Sequence, residues 1–177
     1  TIKVTGDPES TTDDYWLYHV NQSDDDVGEW VETVEPGLDN NIDPATMPVK
    51  MVRAAPDPWD DAFADDFGRP TFSLSQIDWT GRIAGDEETA PDPSFIGETI
   101  NDMSFHKNRL SILAGENVIL SELGAFFNYY ATTATDLLDT DMIDLSAPTN
   151  EVSILHNFVP FNENLMIFSD FGQFKLS

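Results

Sequence analysis

The chain has 177 residues, 40% of them apolar, with twelve Phe and four Trp; this composition excludes a disordered chain and allows one domain or two small ones. It contains no Cys, which excludes a disulfide scaffold and a thiolate metal site. Thirty-three acids against eight Lys and Arg give a net charge of −25, which excludes a tight grip on nucleic-acid phosphates, since that grip needs cations to displace counterions.

Residues 1–100 hold 23 acids and 5 bases, and residues 101–177 hold 10 acids and 3 bases. The expected organisation follows that asymmetry: an acidic, loop-rich β segment over 1–100, then a blade-like segment over 101–177, the two forming either separate parts or one unit. No apolar run reaches the twenty or so residues that span a bilayer, and no basic-then-apolar start marks an export signal, so a soluble chain is expected.

In chain order, Ile2-Lys3-Val4-Thr5 alternates apolar and polar and stops at Gly6-Asp7-Pro8, a short strand. Tyr15–Val20 and Trp30–Val34 are β-favouring and form a hairpin across the charged loop 21–28, which carries Asp24, Asp25 and Asp26. These carboxylates lack the spacing, glycine and bidentate Glu of an EF-hand loop, so no metal site is assigned to them. Residues 36–48 are rich in turn formers, with Asp43-Pro44 and Met47-Pro48 disfavouring helix. Val49–Ala54 is a strand. Residues 56–70 combine three Pro and five Asp with Trp59, Phe63 and Phe67, aromatics whose spacing of four suits one face of a short helix. Phe72–Ile77 is a strand, and residues 80–93 form a loop.

Met103–His106, Leu110–Ala114 and Val118–Ser121 are apolar runs too short for helices. Lys107-Asn108 and Gly115-Glu116-Asn117 separate them, and Asn and Gly accept the positive dihedrals of tight hairpins. The expectation is a three-stranded meander, with Phe126, Phe127, Tyr129 and Tyr130 covering one face. Residues 133–142 are irregular or form one helical turn. Val152–Val159 reads as a strand stopping at Pro160, or as a short helix capped by Thr149 or Asn150. Leu165–Ser169 and Gln173–Leu176 flank a turn at Asp170-Phe171-Gly172; no other kinase motif accompanies that triplet.

The meander recurs. Phe105 aligns with Phe161, Leu110 with Leu165, Gly115 with Gly172 within a residue or two, and Leu120-Ser121 with Leu176-Ser177, an offset of 55 or 56 residues. A meander with such a period suggests propeller blades, and two partial blades cannot close a propeller. The fold class is therefore mainly β: antiparallel hairpins and meanders, partial β-propeller-like blades, long acidic loops and few short helices. The chain is expected to be a piece of a longer polypeptide, or to take its missing blades from other chains.

Chemistry finds little foothold. His19, His106 and His156 stand apart and form no HxxxH or HExxH pair, and neither a nucleophile elbow nor a phosphate-cradling loop is present. Among 33 acids, some pair at glycosidase-like spacing arises by chance. No catalytic, cofactor-binding or metal residue is assigned.

Several segments, in order, carry a resemblance: residues 28–34 (GEWVETV), 43–48 (DPATMP), 93–97 (PSFIG), 107–110 (KNRL), 115–118 (GENV), 120–121 (LS), 149–150 (TN), 159–161 (VPF) and 169–174 (SDFGQF). In these the chain resembles the tail tubular protein B family, the nozzle protein of short-tailed, T7-like bacteriophages. The resemblance implies a structural virion protein, not an enzyme, assembled in the host cytoplasm into the phage tail. It implies a ring of copies, six in the family, that meets a tail adaptor protein, seats tail fibres and passes viral DNA without binding it, with no membrane insertion by this segment. Asp24–Asp26 and Trp59, Phe63 and Phe67 are the candidate interface residues, since aromatics in a polar loop are costly to leave wet. Where the family pattern carries a base after the serine, this chain has Glu122, so an ion pair there is not carried over. The acidity suits a duct wall that repels DNA and equally suits plain solubility. Two other classes remain open: a virion-associated glycan hydrolase using paired carboxylates, and an acidic binding module that takes divalent cations.

Overall fold

The computed structural model describes residues 1–10, 13–21, 28–53 and 71–177. Twelve strands and no helix occur among the described residues. They are β1 (Ile2–Val4), β2 (Tyr15–Asn21), β3 (Gly28–Thr33), β4 (Lys50–Arg53), β5 (Phe72–Ser75), β6 (Ile100–His106), β7 (Arg109–Ala114), β8 (Asn117–Leu120), β9 (Ile143–Ser146), β10 (Leu155–Phe161), β11 (Asn164–Ser169) and β12 (Gln173–Leu176). Every ladder between these strands is antiparallel, and the sheets run β1-β2-β3, β4-β5, β6-β7-β8-β9 and β10-β11-β12. The mainly β expectation holds. A short helix does not form at residues 133–142, which are bends and turns, nor at 152–159, most of which is strand.

The chain divides into two compact units, residues 43–79 and the remainder. In the smaller unit, β4 and β5 pair Met51 with Leu74 and Arg53 with Phe72. Alternation therefore places Met51, Phe72 and Leu74 on one face of the ribbon, and all three are exposed.

The larger unit is built on the predicted meander. Lys107 and Asn108 both adopt positive φ, 46° and 59°, and close β6 onto β7 as a two-residue turn. Gly115, at φ 55°, turns β7 into β8. Strand β7 is buried along its whole length, so both its faces are covered. Leu110, Ile112 and Ala114 point to one side, where the Tyr129 hydroxyl donates to the Leu110 carbonyl at 2.9 Å and Phe95 meets Tyr129 edge to face. Leu113 points to the other side, with Val118 and Leu120 of β8.

That second side is covered by the repeated meander. Leu155 and Phe158 of β10 with Leu165 and Ile167 of β11 join Leu113, Val118 and Leu120 in one buried cluster. Asn101 donates to the Leu155 carbonyl at 2.8 Å and the Phe158 N–H donates to the Asp102 carboxylate at 2.8 Å. These two bonds tie β10 to β6 at sequence separations of 54 and 56 residues, close to the repeat offset.

Pro160 does not end β10. It pairs with Leu165, one step inside the hairpin-closing pair Phe161 and Asn164, on an edge strand of its sheet. Its missing N–H faces away from β11, on the side where the Phe158 N–H leaves the ladder for Asp102. Strand β9 is an addition to the expected elements: Ile143–Ser146 pairs with β8 after the long excursion of residues 121–142.

Candidate functional site

Three of the segments that carry the family resemblance, 107–110, 115–118 and 120–121, lie in the central meander, and several of their side chains have a mechanical task. Arg109 opens β7 and is buried. Its guanidinium donates to the carbonyls of Ser121 and Asp141, both at 2.6 Å, and of Asp139 at 3.0 Å. A planar fork of donors suits several carbonyls at once, so one side chain gathers both ends of the 121–142 excursion. The Ser121 hydroxyl accepts the Leu110 N–H at 3.0 Å and donates to the Glu122 carbonyl at 3.1 Å. Glu122 accepts from the Asn128 amide at 2.7 Å, which gives this acid a neutral partner where the family pattern has a base. Asn108 accepts the Gly124 N–H at 2.9 Å. Glu116 accepts the Ser153 N–H at 2.7 Å, and Asn117 accepts from Ser146 at 2.8 Å.

A second buried arginine holds another junction. Arg82 donates to the Ala90 carbonyl at 2.6 Å, the Asp39 carbonyl at 3.1 Å and the Asp92 carboxylate at 2.8 Å, and lies 5.1 Å from the Tyr130 ring centre. The Tyr130 hydroxyl donates to the same Asp92 oxygen at 2.8 Å. Burial, then the Asp92 carboxylate, push the Tyr130 phenol above its ordinary range, and burial alone does so for Tyr129.

Several of the described carboxylates are occupied by backbone. Asp7, Asp39, Asp43 and Asp86 each accept the N–H two residues onward, the turn that Asp forms with its own chain. Asp141 is buried and takes the N–H of Leu138 at 2.8 Å and the hydroxyl of Thr132 at 3.0 Å. Glu32 on β3 takes the Thr133 hydroxyl at 2.6 Å and the Ala134 N–H at 2.5 Å. Lys3 bonds Asp14 at 2.7 Å, which holds that carboxyl below its usual value. Burial works to raise Asp86, but N–H groups of Thr89 and Glu88 and the Thr89 hydroxyl outweigh it.

The three histidines have separate surroundings. His19 meets Trp30 edge to face at 5.2 Å across β2 and β3; His106 is buried at the end of β6; His156 bonds Asp170 at 2.8 Å. Among the described residues no group of three or more His, Asp or Glu is placed to hold a metal ion. No helix there is long and apolar enough to cross a membrane. Asp24, Asp25, Asp26, Trp59, Phe63 and Phe67 lie outside the described residues.

Sequence reasoning passed over Arg82, Arg109 and Asp141. One signal was available for Arg109: a base inside the apolar run RLSILA, in a chain holding only eight bases, marks a charge with a fixed task. Asp141 carried no local signal, since its partners are three and nine residues away.

The family model described as "Bacteriophage nozzle protein" matches residues 1–177. The chain is also 36% identical over 176 residues to the protein titled "Tail tubular protein gp12" of Escherichia phage T7. That alignment covers 99% of this chain and 20% of the phage T7 protein, so the chain spans about a fifth of its relative's length. With the family model matched from end to end, this chain belongs to the bacteriophage nozzle protein family.

Proposed function

We propose that this chain forms part of the structural wall of a phage tail nozzle and catalyses nothing itself. Copies assemble as a ring in the virion tail, against the tail adaptor protein and tail fibres, around a passage that conducts DNA at ejection. The observation that carries this reading is the family match along the whole chain. The geometry supports it: the resembling residues Arg109, Ser121 and Glu116 are spent on backbone bonds that fix loops, and Asn117 on a side-chain bond to Ser146. Residues of this kind stiffen a wall.

The charge supports the passage. A cationic lining would bind phosphates and stall a moving polyanion, whereas an acidic lining repels it weakly. The more acidic residues 1–100 supply the larger share of that repulsion, and residues 101–177 the stacked sheets. The loops bearing Asp24–Asp26 and Trp59, Phe63 and Phe67 meet neighbouring subunits, with the aromatics as anchors.

Imaging and native mass of the full-length protein test the ring: a closed ring is expected, and a monodisperse monomer refutes it. Trp59→Ala with Phe63→Ala should abolish the ring while leaving soluble monomer. Loss of soluble monomer would move those rings into the core instead. A lumen whose facing side chains sum to a positive charge would refute the passage argument.

A further inference from the structure

The two meanders are not equally complete. In the first, β8 has a strand on each side, because β9 pairs with it from Asn117 opposite Ser146 to Leu120 opposite Ile143. In the second, β12 pairs with β11 alone, and its outer edge has no partner among the described residues. Bare strand edges present free N–H and C=O groups and invite a further strand.

Beside that edge lies an apolar cleft of about 310 Å³, lined by Val118, Leu145, Leu155, Ile167, Phe174 and Leu176. Its position follows from the stacking. The second sheet covers Val118 and Leu120 but stops short of β9, so Leu145 on the same face is 47% exposed. A fourth strand laid on β12 would lie over β9 and close the gap. The open edge and the apolar cleft thus point independently to one missing element.

We propose that β12 receives a fourth antiparallel strand, supplied by the same polypeptide outside residues 1–177, whose apolar side chains fill the cleft between β9 and β12. Two observations choose the same polypeptide over a second copy. In the first meander the fourth strand comes from the same chain, after the excursion of residues 121–142. The chain also spans only 20% of the length of its phage T7 relative, so such a protein has ample further sequence to supply one. The added strand carries apolar residues at alternate positions, since one side faces the cleft lined by Leu145 and Phe174. This inference stands on the sheet geometry and does not depend on the nozzle role.

Hydrogen exchange on the unmodified full-length protein reads the edge directly. The Ser169 N–H donates to the Gly172 carbonyl, so by alternation the Gln173 and Lys175 amides point to the outer edge of β12. They should exchange about 100-fold more slowly than those of the turn 170–172, as in a strand paired on both sides. Exchange of Gln173 and Lys175 as fast as that turn, with only Phe174 and Leu176 protected, overturns the proposal. A photo-crosslinker in the full-length protein, Lys175→p-benzoylphenylalanine, identifies the occupant. A link within one polypeptide to a segment outside 1–177 is the expected result. A link to a second copy, seen as a band of doubled mass, or links confined to residues 1–177, overturn it.

Discussion

Replacing Arg109 with Met tests whether the family-resembling residues act as scaffold. Met keeps much of the length of the apolar stem and removes only the guanidinium, so packing changes little while three carbonyls lose their donor. Replacing both partners of a buried charge by apolar groups can be neutral, but here the carbonyls of Ser121, Asp139 and Asp141 remain. Hydrogen bonds to charged groups contribute about 1.5–3 kcal/mol each and are not additive, so the expected loss is about 3–5 kcal/mol. Against a total stability of about 5–15 kcal/mol this is large enough to read as a shifted urea midpoint at unchanged slope. Arg109→Lys keeps a charge but not the planar fork, and should lose about 1–3 kcal/mol. If Arg109 instead served a partner surface, Arg109→Met would leave the urea midpoint within about 1 kcal/mol of the parent and weaken assembly alone; that result would refute the scaffold reading.

Gly85 sits at φ 76°, and a Cβ there would stand 2.4 Å from the Thr89 hydroxyl oxygen and 3.1 Å from the Ala134 Cβ. Gly85→Ala should therefore cost about 2–4 kcal/mol, combining left-handed backbone strain with a clash, and a variant as stable as the parent would show that this junction yields freely. Leu165→Ala, in the cluster shared by the two sheets, should cost about 2–5 kcal/mol in the same urea assay. The pH profile has two falling limbs. Asp14 and Asp86 are held below the ordinary 3.8, so their contribution is present above that value and lost as pH falls through their folded values. Tyr129 and Tyr130 are held above the ordinary 10.0, so theirs is present below that value and lost as pH rises through their raised values. Relief of self-repulsion as the acidic surface discharges opposes the acid limb; stability that keeps rising below about pH 3 would show that repulsion outweighs these bonds.

What could be read in advance was whatever short-range chemistry decides. Lys107-Asn108 and Gly115 specify tight turns by their own backbone preferences, and the three runs between them had no length for helix. The repeat was also legible, and the Phe158 to Asp102 bond, 56 residues apart, shows why: one meander lies along the other. Strand β9 escaped because Ile-Asp-Leu-Ser is ordinary in itself and becomes a strand through β8, more than twenty residues earlier. Pro160 misled for a related reason. Proline ends a strand where its N–H is needed, and only the position of the neighbouring sheet makes that N–H dispensable. The side chains that organise the junctions, Arg82, Arg109 and Asp141, take partners as far as 43 residues away, beyond any local pattern.

The bonding also changes what the charge imbalance means. In a chain with 33 acids and eight bases, few carboxylates can find a cation, and the structure places several of them, Asp7, Asp39, Asp43 and Asp86 among them, against loop N–H groups instead. Acidity and the long irregular connections are thus one adaptation: each Asp that accepts a backbone N–H makes a turn possible without a helix or a partner strand. The arginines follow the opposite rule. Arg82 and Arg109 are buried against carbonyls, so of eight bases at most six remain to offset the acids at the surface. Total charge is unchanged, but these two cations are buried. For a wall facing DNA the order of layers matters more than the sum, because phosphates displace counterions only where a cation can be reached. In the proposed nozzle wall, the same two arginines that hold the scaffold together would therefore be withheld from the passage.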